Sequence, residues 1–198
     1  MSFPYYYYSV NCSDSFTEWD KTMGDFEGIL ATGAICSWRA RRLKYPGGLF
    51  NGTDHISLCD PDIKDVMELF EDNTYTRFVS KSVSLLVCKD MVDVKKTELV
   101  PPVKDELDFW KYFVLTRISR KRYSDLPDEV QAYYSIPMSA VHGIALPTNY
   151  IINSQKDALI GKRKILEYAK EIYELLDTFE YDLKVYDLES MDEIKRCK

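Results

Sequence analysis

Apolar residues recur along this chain with a helical period, most clearly in two places. The clearest three- and four-residue spacing runs through residues 157–176, and a second such stretch runs through residues 16–30 and ends before Gly33. Gly24 interrupts the second stretch, which leaves one helix or two short ones open. The stripe predicted for the buried side of residues 157–176 comprises Leu159, Ile165, Leu166, Ala169, Ile172, Tyr173 and Leu176.

Short runs of β-branched and aromatic residues predict the strands. They cover residues 5–10, His55–Cys59, 76–88, 129–134, 143–146 and 179–188. A short helix is expected at residues 62–70, whereas residues 107–115 fit either period and are expected to be weakly helical at the start. Strands and helices do not alternate regularly, so the pattern predicts an α+β fold rather than a parallel α/β fold.

The length of 198 residues suits one domain with a sizeable core. We therefore expect a single domain over residues 1–198, with residues 154–198 as a candidate helix–strand extension. No internal repeat is visible in the sequence.

Charge and cysteine content narrow the functional classes. A net charge of −6 argues against nucleic-acid binding over the whole surface and leaves two local basic patches, residues 39–44 and 117–122. The five cysteines are scattered without a CxxC pair, which favours a reducing compartment over a disulfide framework or a zinc site. No signal-peptide pattern or membrane-length apolar run is visible, so a soluble, cytoplasmic protein without a membrane partner is expected.

Several familiar catalytic patterns are missing from the sequence. Neither His55 nor His142 stands in a metal-binding spacing, and no GxxxxGK[ST] or GxGxxG motif is present. Kinase and dehydrogenase functions are therefore not expected, and neither is a metal cofactor.

The remaining candidate chemistry lies in three segments rich in tyrosine, hydroxyl, arginine and glutamate residues. They are residues 7–11, 39–57 and 123–129. Tyrosines can stack a planar base, arginines can clamp a pyrophosphate, and a carboxylate can stabilise an oxocarbenium ion. This inventory permits cleavage of an N-glycosidic bond, whose transition state is a sugar cation. Glu129 is the candidate carboxylate, and the alternative is that it is a solvated charge at the start of a strand.

The order YYYYSVN, DFEGILATGAICS, NGTDHISLC, a long strand and LPDEVQAYYSIPMSAVHGIALP resembles the ADP-ribosyltransferase superfamily. The likeness is to its small bacterial members related to the DNA-modifying toxins, and it spans about residues 5–147. It implies a single α+β domain with a mixed, mostly antiparallel split sheet flanked by helices. It also implies NAD as a substrate and a protein or nucleic-acid acceptor, as in a toxin or effector.

The resemblance also implies residue roles. Glu129 would be the catalytic glutamate, and Tyr7 and Ser9 would bind the nicotinamide end of NAD. His55 and Ser57 would lie on the second NAD-binding strand, Arg39 would contact phosphate, and the acceptor loop would present Arg120, Arg122 and Tyr123. The first strand lacks the histidine usual in the family, and Pro127 replaces the first acid of the Glu-x-Glu pair, which puts arginine as the modified residue in doubt.

The sequence thus favours an NAD-dependent ADP-ribosyltransferase, a glycosyltransferase-class enzyme, with Glu129 stabilising the transition state. The alternative is a non-catalytic interaction module on the same fold. A nucleic-acid-targeting toxin or nuclease is a weaker alternative, because the chain is acidic and has only two histidines.

Overall fold

A computed structural model describes residues 2–10, 14–37, 55–61, 79–96 and 129–196 of the chain. The strands in these ranges are β1 (Tyr5–Ser9), β2 (Ala34–Cys36), β3 (His55–Cys59), β4 (Ser84–Cys88), β5 (Val94–Lys96), β6 (Glu129–Tyr133), β7 (Ser135–Pro137), β8 (Val141–Leu146) and β9 (Lys184–Asp187). The α-helices are α1 (Trp19–Thr32), α2 (Thr148–Asn153) and α3 (Ala158–Thr178). Single 3-10 turns occupy Lys89–Met91 and Met138–Ala140.

Seven strands form one sheet in the order β5-β6-β3-β1-β4-β8-β9, and β2 pairs with β7 in a separate sheet. Among these described strands, β8 and β9 run parallel, and every other pair is antiparallel. The predicted α+β class, with mixed and mostly antiparallel strands divided between sheets, is therefore confirmed.

The main core lies between one face of the large sheet and helices α1 and α3. Leu58, Leu85 and Ile144 contribute to it from the strands, while Phe26 and Ile172 contribute from the helices. All five are completely buried. Burial of side chains of this size supplies the dominant favourable term in folding, so this face of the sheet anchors the strands.

Helix α1 ends where the sequence predicts. Gly33 adopts a left-handed conformation with φ of 71°, and its amide donates to the carbonyls of Ile29 and Leu30. Glycine takes this conformation without a Cβ penalty, which explains the stop. Gly24 does not divide the helix, because Trp19–Thr32 is continuous.

Helix α3 corrects part of the predicted buried stripe. Ile165, Ala169 and Leu176 are buried as expected, but Leu159 is 74% exposed and Leu166 is 46% exposed. The buried residues of the helix include Gly161, Ile172 and Tyr173 as well, and these two leucines are not among them. Periodicity locates the apolar side of a helix but does not decide how much of that side is covered.

Four predicted strands are shorter in the structure, and two of these differ by a single residue, since β1 ends at Ser9 and β6 ends at Tyr133. Of the strand expected at residues 76–88, the structure describes residues 79–88, and within these only Ser84–Cys88 are a strand, because the chain turns before it and the Ser82 amide donates to the Val79 carbonyl. The strand expected at residues 179–188 occupies only Lys184–Asp187, because the chain turns after α3: Glu180 has a φ of 58°, and the Tyr181 amide donates to the Leu176 carbonyl. The elements that the sequence pattern did not indicate are β2, β5, β7 and α2, all of six residues or fewer. The helix expected at residues 62–70 and the segment 107–115 lie outside the described residues.

Candidate functional site

Three strands that are distant in the sequence are neighbours in the large sheet. β3 lies between β1 and β6 and pairs antiparallel with both. Tyr7 of β1 is opposite Cys59 of β3, and Cys59 is opposite Glu129 of β6. One row across the sheet therefore connects Tyr7 with Glu129, and each of the three candidate segments contributes to this region.

Alternate residues of these strands divide between two faces of the sheet. Tyr6, Leu58 and Val130 belong to the main core, whereas Tyr7 and Cys59 belong to a separate small cluster. We call the face of this cluster the second face. Residues in one row of a pleated sheet share a face, and the residues of one strand alternate between faces. The second face therefore holds the positions of every predicted strand residue: Tyr7, Ser9, His55, Ser57 and Glu129.

The structure places some predicted residues and leaves others as predictions. For His55 and Glu129 it describes the backbone position alone. The remaining candidates, Arg39, Arg120, Arg122 and Tyr123, lie outside the described residues. The register thus supports a shared location for the strand residues only.

Serine hydroxyls occupy the second face beside the Tyr7 row. Ser9 is two residues after Tyr7, and Ser57 is two residues before Cys59, so antiparallel pairing carries both serines to the same side of that row. Ser9 is paired with Ser84 of β4. The Ser84 hydroxyl is completely buried and has no hydrogen-bond partner among the described residues.

Ser84 is a candidate residue that sequence reasoning missed. An unpaired buried hydroxyl destabilises a fold by about 1–3 kcal/mol, so its position beside the predicted site is informative. The available signal was a lone serine opening the apolar run SLLVC, at a position that strand alternation assigns to the second face.

Tyr7 is held as a neutral phenol. Its side chain is buried, and burial, together with Cys59 and Glu189, raises its pKa to about 12. The ring of Phe3 lies 5.6 Å from the Tyr7 ring at a tilt of 30°. A neutral phenol among aromatic neighbours can offer a hydrogen-bond donor and a flat apolar surface.

A chain of aromatic rings extends along the second face towards the strand β9. Phe3 packs edge-on against Tyr5, and the Tyr5 ring stacks on His142 with centroids 4.6 Å apart. His142 in turn stacks on Tyr186 at 5.5 Å, and its Nε2 lies 3.2 Å from the Tyr186 hydroxyl. His142 is thus an exposed residue whose ring stacks against two tyrosines and makes a hydrogen bond with one of them.

A buried ion pair fixes the sheet near Glu129. Asp60 directly follows Cys59, and its Oδ1 accepts from Lys89 Nζ at 2.6 Å. The Lys89 ammonium also lies 5.0 Å from the centre of the Tyr6 ring. Because both charged side chains are largely buried, the pair holds the ends of β3 and β4 in a defined position.

The end of β9 and the turn after it carry two interacting carboxylates, Asp187 and Glu189, and Glu189 contributes to the raised pKa of Tyr7. The Thr148 hydroxyl donates to Asp187, and the amides of Glu189 and Ser190 donate to the other Asp187 oxygen. Burial opposes ionisation of Asp187, but these hydrogen bonds outweigh it and lower its pKa. Burial and the hydrogen bond with Asp187 raise the pKa of Glu189. Leu188 in the same turn packs against the cluster of Tyr7.

The second face brings together the positions of residue types that permit N-glycosidic cleavage. It holds the position of a carboxylic residue at the mouth of β6, a neutral phenol in the same row and hydroxyls beside that row. A carboxylate stabilises a developing sugar cation, while a phenol and hydroxyls can hold the sugar or the leaving base.

Within the described residues, no group of three or more histidine, cysteine, aspartate or glutamate side chains has the proximity of a metal site. No helix in the described part of the chain has both the length and the apolar character needed to cross a membrane.

No protein-family model matches the chain, and no curated protein matches it. Two solved structures of DarT from Thermus sp. 2.9 are similar to it. The structure in complex with carba-NAD+ is 12% identical, has a TM-score of 0.43, and aligns over 95% of this chain and 96% of its own. The structure in complex with NAD+ is also 12% identical, has a TM-score of 0.41, and aligns over 92% and 93% of the two chains. With TM-scores below 0.5, these likenesses assign no function to this chain.

Proposed function

We propose that the protein is an NAD-dependent ADP-ribosyltransferase that modifies a macromolecular acceptor. The observation that supports this proposal most is the row that Tyr7, Cys59 and Glu129 form across the sheet. The family resemblance assigns nicotinamide binding to Tyr7 and catalysis to Glu129, and these two positions share one face of the sheet. Nothing in the order of these segments along the chain requires that coincidence.

The proposed reaction breaks the bond between C1′ of the nicotinamide ribose and the pyridinium nitrogen. Nicotinamide leaves with the bonding electrons, and the Glu129 carboxylate stabilises the oxocarbenium-like ribose. A nucleophilic atom of the acceptor then bonds to C1′ and loses its proton. Only stabilisation that is stronger in the transition state than in the bound substrate accelerates this step.

Other residues of the second face would hold the substrate. Tyr7 can donate a hydrogen bond from its neutral phenol, and the hydroxyls of Ser9 and Ser57 stand close to its row. In the proposed assignment His55 completes this NAD-binding surface and Arg39 contacts phosphate. The acceptor would meet the loop that carries Arg120, Arg122 and Tyr123.

The test is the substitution Glu129→Gln, measured as nicotinamide release with and without acceptor. We expect turnover to fall by about 10²- to 10³-fold, the usual loss when one electrostatic stabiliser is removed, while NAD affinity and melting temperature change little. Glu27→Gln, an exposed change on α1, is the matched control and should leave turnover intact.

Wild-type turnover in Glu129→Gln would remove this residue from the mechanism. A thermal shift in millimolar NAD separates the enzyme from the non-catalytic interaction module. The enzyme should be stabilised by mass action, whereas the module should not respond.

A further inference from the structure

A pair of exposed tyrosines at the end of β6 has no part in the proposed mechanism. Tyr133 is 38% exposed and Tyr134 is 59% exposed, and their ring centroids are 6.4 Å apart. Tyr134 also has a φ of 63°, in the left-handed region. A bulky aromatic residue rarely adopts this conformation, which destabilises the backbone by about 1–3 kcal/mol.

The fold does not account for a tyrosine at position 134. The backbone there makes one useful contact, because the Tyr134 carbonyl accepts from the Ser37 amide at 2.8 Å. Glycine would make the same contact without strain. The ring is largely in solvent and so adds little burial energy. A strained residue whose side chain does not stabilise the fold points to a role in binding.

The position of the pair relates it to Glu129. Tyr133 is four residues further along the same strand, and it is opposite His55 in the register of β3 and β6. Four residues of an extended strand span about 13 Å. Strand alternation assigns Tyr133 to the same face as Glu129.

We propose that Tyr133 and Tyr134 form the subsite for the adenine ring of NAD. This inference rests on the proposed function. If the nicotinamide ribose reacts beside Glu129, the second ring of the dinucleotide must lie some distance away, beyond two riboses and a pyrophosphate. The exposed rings at the far end of β6 offer a flat apolar surface at such a distance. Adenine is neutral and planar, and rings of this kind stack on tyrosine.

The experiment compares binding of NAD, nicotinamide mononucleotide and AMP to wild type and to Tyr134→Gly. The substitution removes the ring and also relieves the strained backbone, so the variant should melt no lower than wild type. NAD affinity should fall roughly tenfold, in the range lost when one base–aromatic stack is removed. Affinity for nicotinamide mononucleotide, which has no adenine, should stay the same, and AMP binding should be lost.

Glu180→Gly is the matched control. Glu180 also has a positive φ, 58°, and lies in the turn after α3, so it tests relief of strain without removing an aromatic ring. It should alter binding of none of the three probes. Tyr134→Trp, which keeps a stacking surface, should restore NAD affinity to within about threefold of wild type.

The outcomes separate this inference from the proposed function. Unchanged NAD affinity in Tyr134→Gly, or equal losses for NAD and nicotinamide mononucleotide, would overturn the adenine subsite while leaving the transferase proposal standing. If the wild-type protein binds neither NAD nor nicotinamide mononucleotide, both the adenine subsite and the transferase proposal are overturned.

Discussion

The two faces of the large sheet are built from the same strands but from different kinds of residue. The face under α1 and α3 is lined by large aliphatic and aromatic side chains such as Leu58, Leu85 and Ile144. The second face has a much smaller buried cluster, around Tyr7, Cys59 and Leu86, with serines and stacked rings beside it. Neighbouring residues of one strand thus contribute alternately to the main core and to the second face.

This difference shows how a short strand can supply both stability and chemistry. In β3, Leu58 is completely buried in the core, while Ser57 and Cys59 on either side take the other face. A site on a strand whose alternate residues are firmly packed is held rigidly, which favours precise placement of reacting groups. Substitutions on the two faces should therefore affect different measurements.

The largest expected difference in stability is between Leu58→Ala and Ser57→Ala. Leu58→Ala removes a fully buried side chain and should lower the free energy of unfolding by about 2–5 kcal/mol. Ser57→Ala should lower it by about 1 kcal/mol or less while weakening NAD binding. Urea denaturation gives the free energy of unfolding of both variants, and NAD titrations give their affinity for NAD. Equal destabilisation would contradict the division between the faces.

The ion pair near Glu129 should come next in effect. Asp60→Ala would leave the Lys89 ammonium, whose side chain is 14% exposed, without its carboxylate. We expect a loss of about 3 kcal/mol, the scale for breaking one partner of a buried pair. Thermal unfolding checks this, and Asp177→Ala, which breaks the exposed pair with Arg196, is the control and should cost less than about 1 kcal/mol. Similar losses of stability in Asp60→Ala and Asp177→Ala would show that burial does not strengthen the pair of Asp60 and Lys89.

Adjacent residues of α3 sharpen the boundary of the main core. Ile165 is 8% exposed and Leu166 is 46% exposed. Ile165→Ala should destabilise the protein by about 2 kcal/mol, whereas Leu166→Ala should stay within about 0.5 kcal/mol of wild type. The midpoints of guanidinium unfolding curves give both values. A larger loss of stability in Leu166→Ala would show that Leu166 belongs to the buried side of α3, as the sequence predicts.

The last effect is confined to alkaline pH and concerns the second face. The folded protein raises the Tyr7 pKa from 10.0 to about 12, so between these pH values the native state keeps a proton that the unfolded chain has lost. The contribution of Tyr7 to stability is therefore complete below pH 10 and falls as pH rises towards 12. Tyr7→Phe should reduce this alkaline loss, measured as melting temperature against pH.

Part of the fold could be predicted from local pattern. β3, α1 with its Gly33 stop, and most of α3 follow from residue spacing and end signals that act within a few residues. The short elements β2, β5 and β7 have three residues each, too few for a period to show. They form because a partner strand supplies their hydrogen bonds, which is a tertiary effect.

The same distinction applies to the candidate site. The sequence by itself determined which residue types are available, the alternation that separates Tyr7 from Tyr6, and Glu129 as the first residue of a strand. Only the tertiary structure decided that β3 lies between β1 and β6, that Cys59 aligns Tyr7 with Glu129, and that Ser84 and the strained Tyr134 belong to this region. Strand order and register depend on how all the apolar faces are buried together, and no local stretch of sequence carries that information.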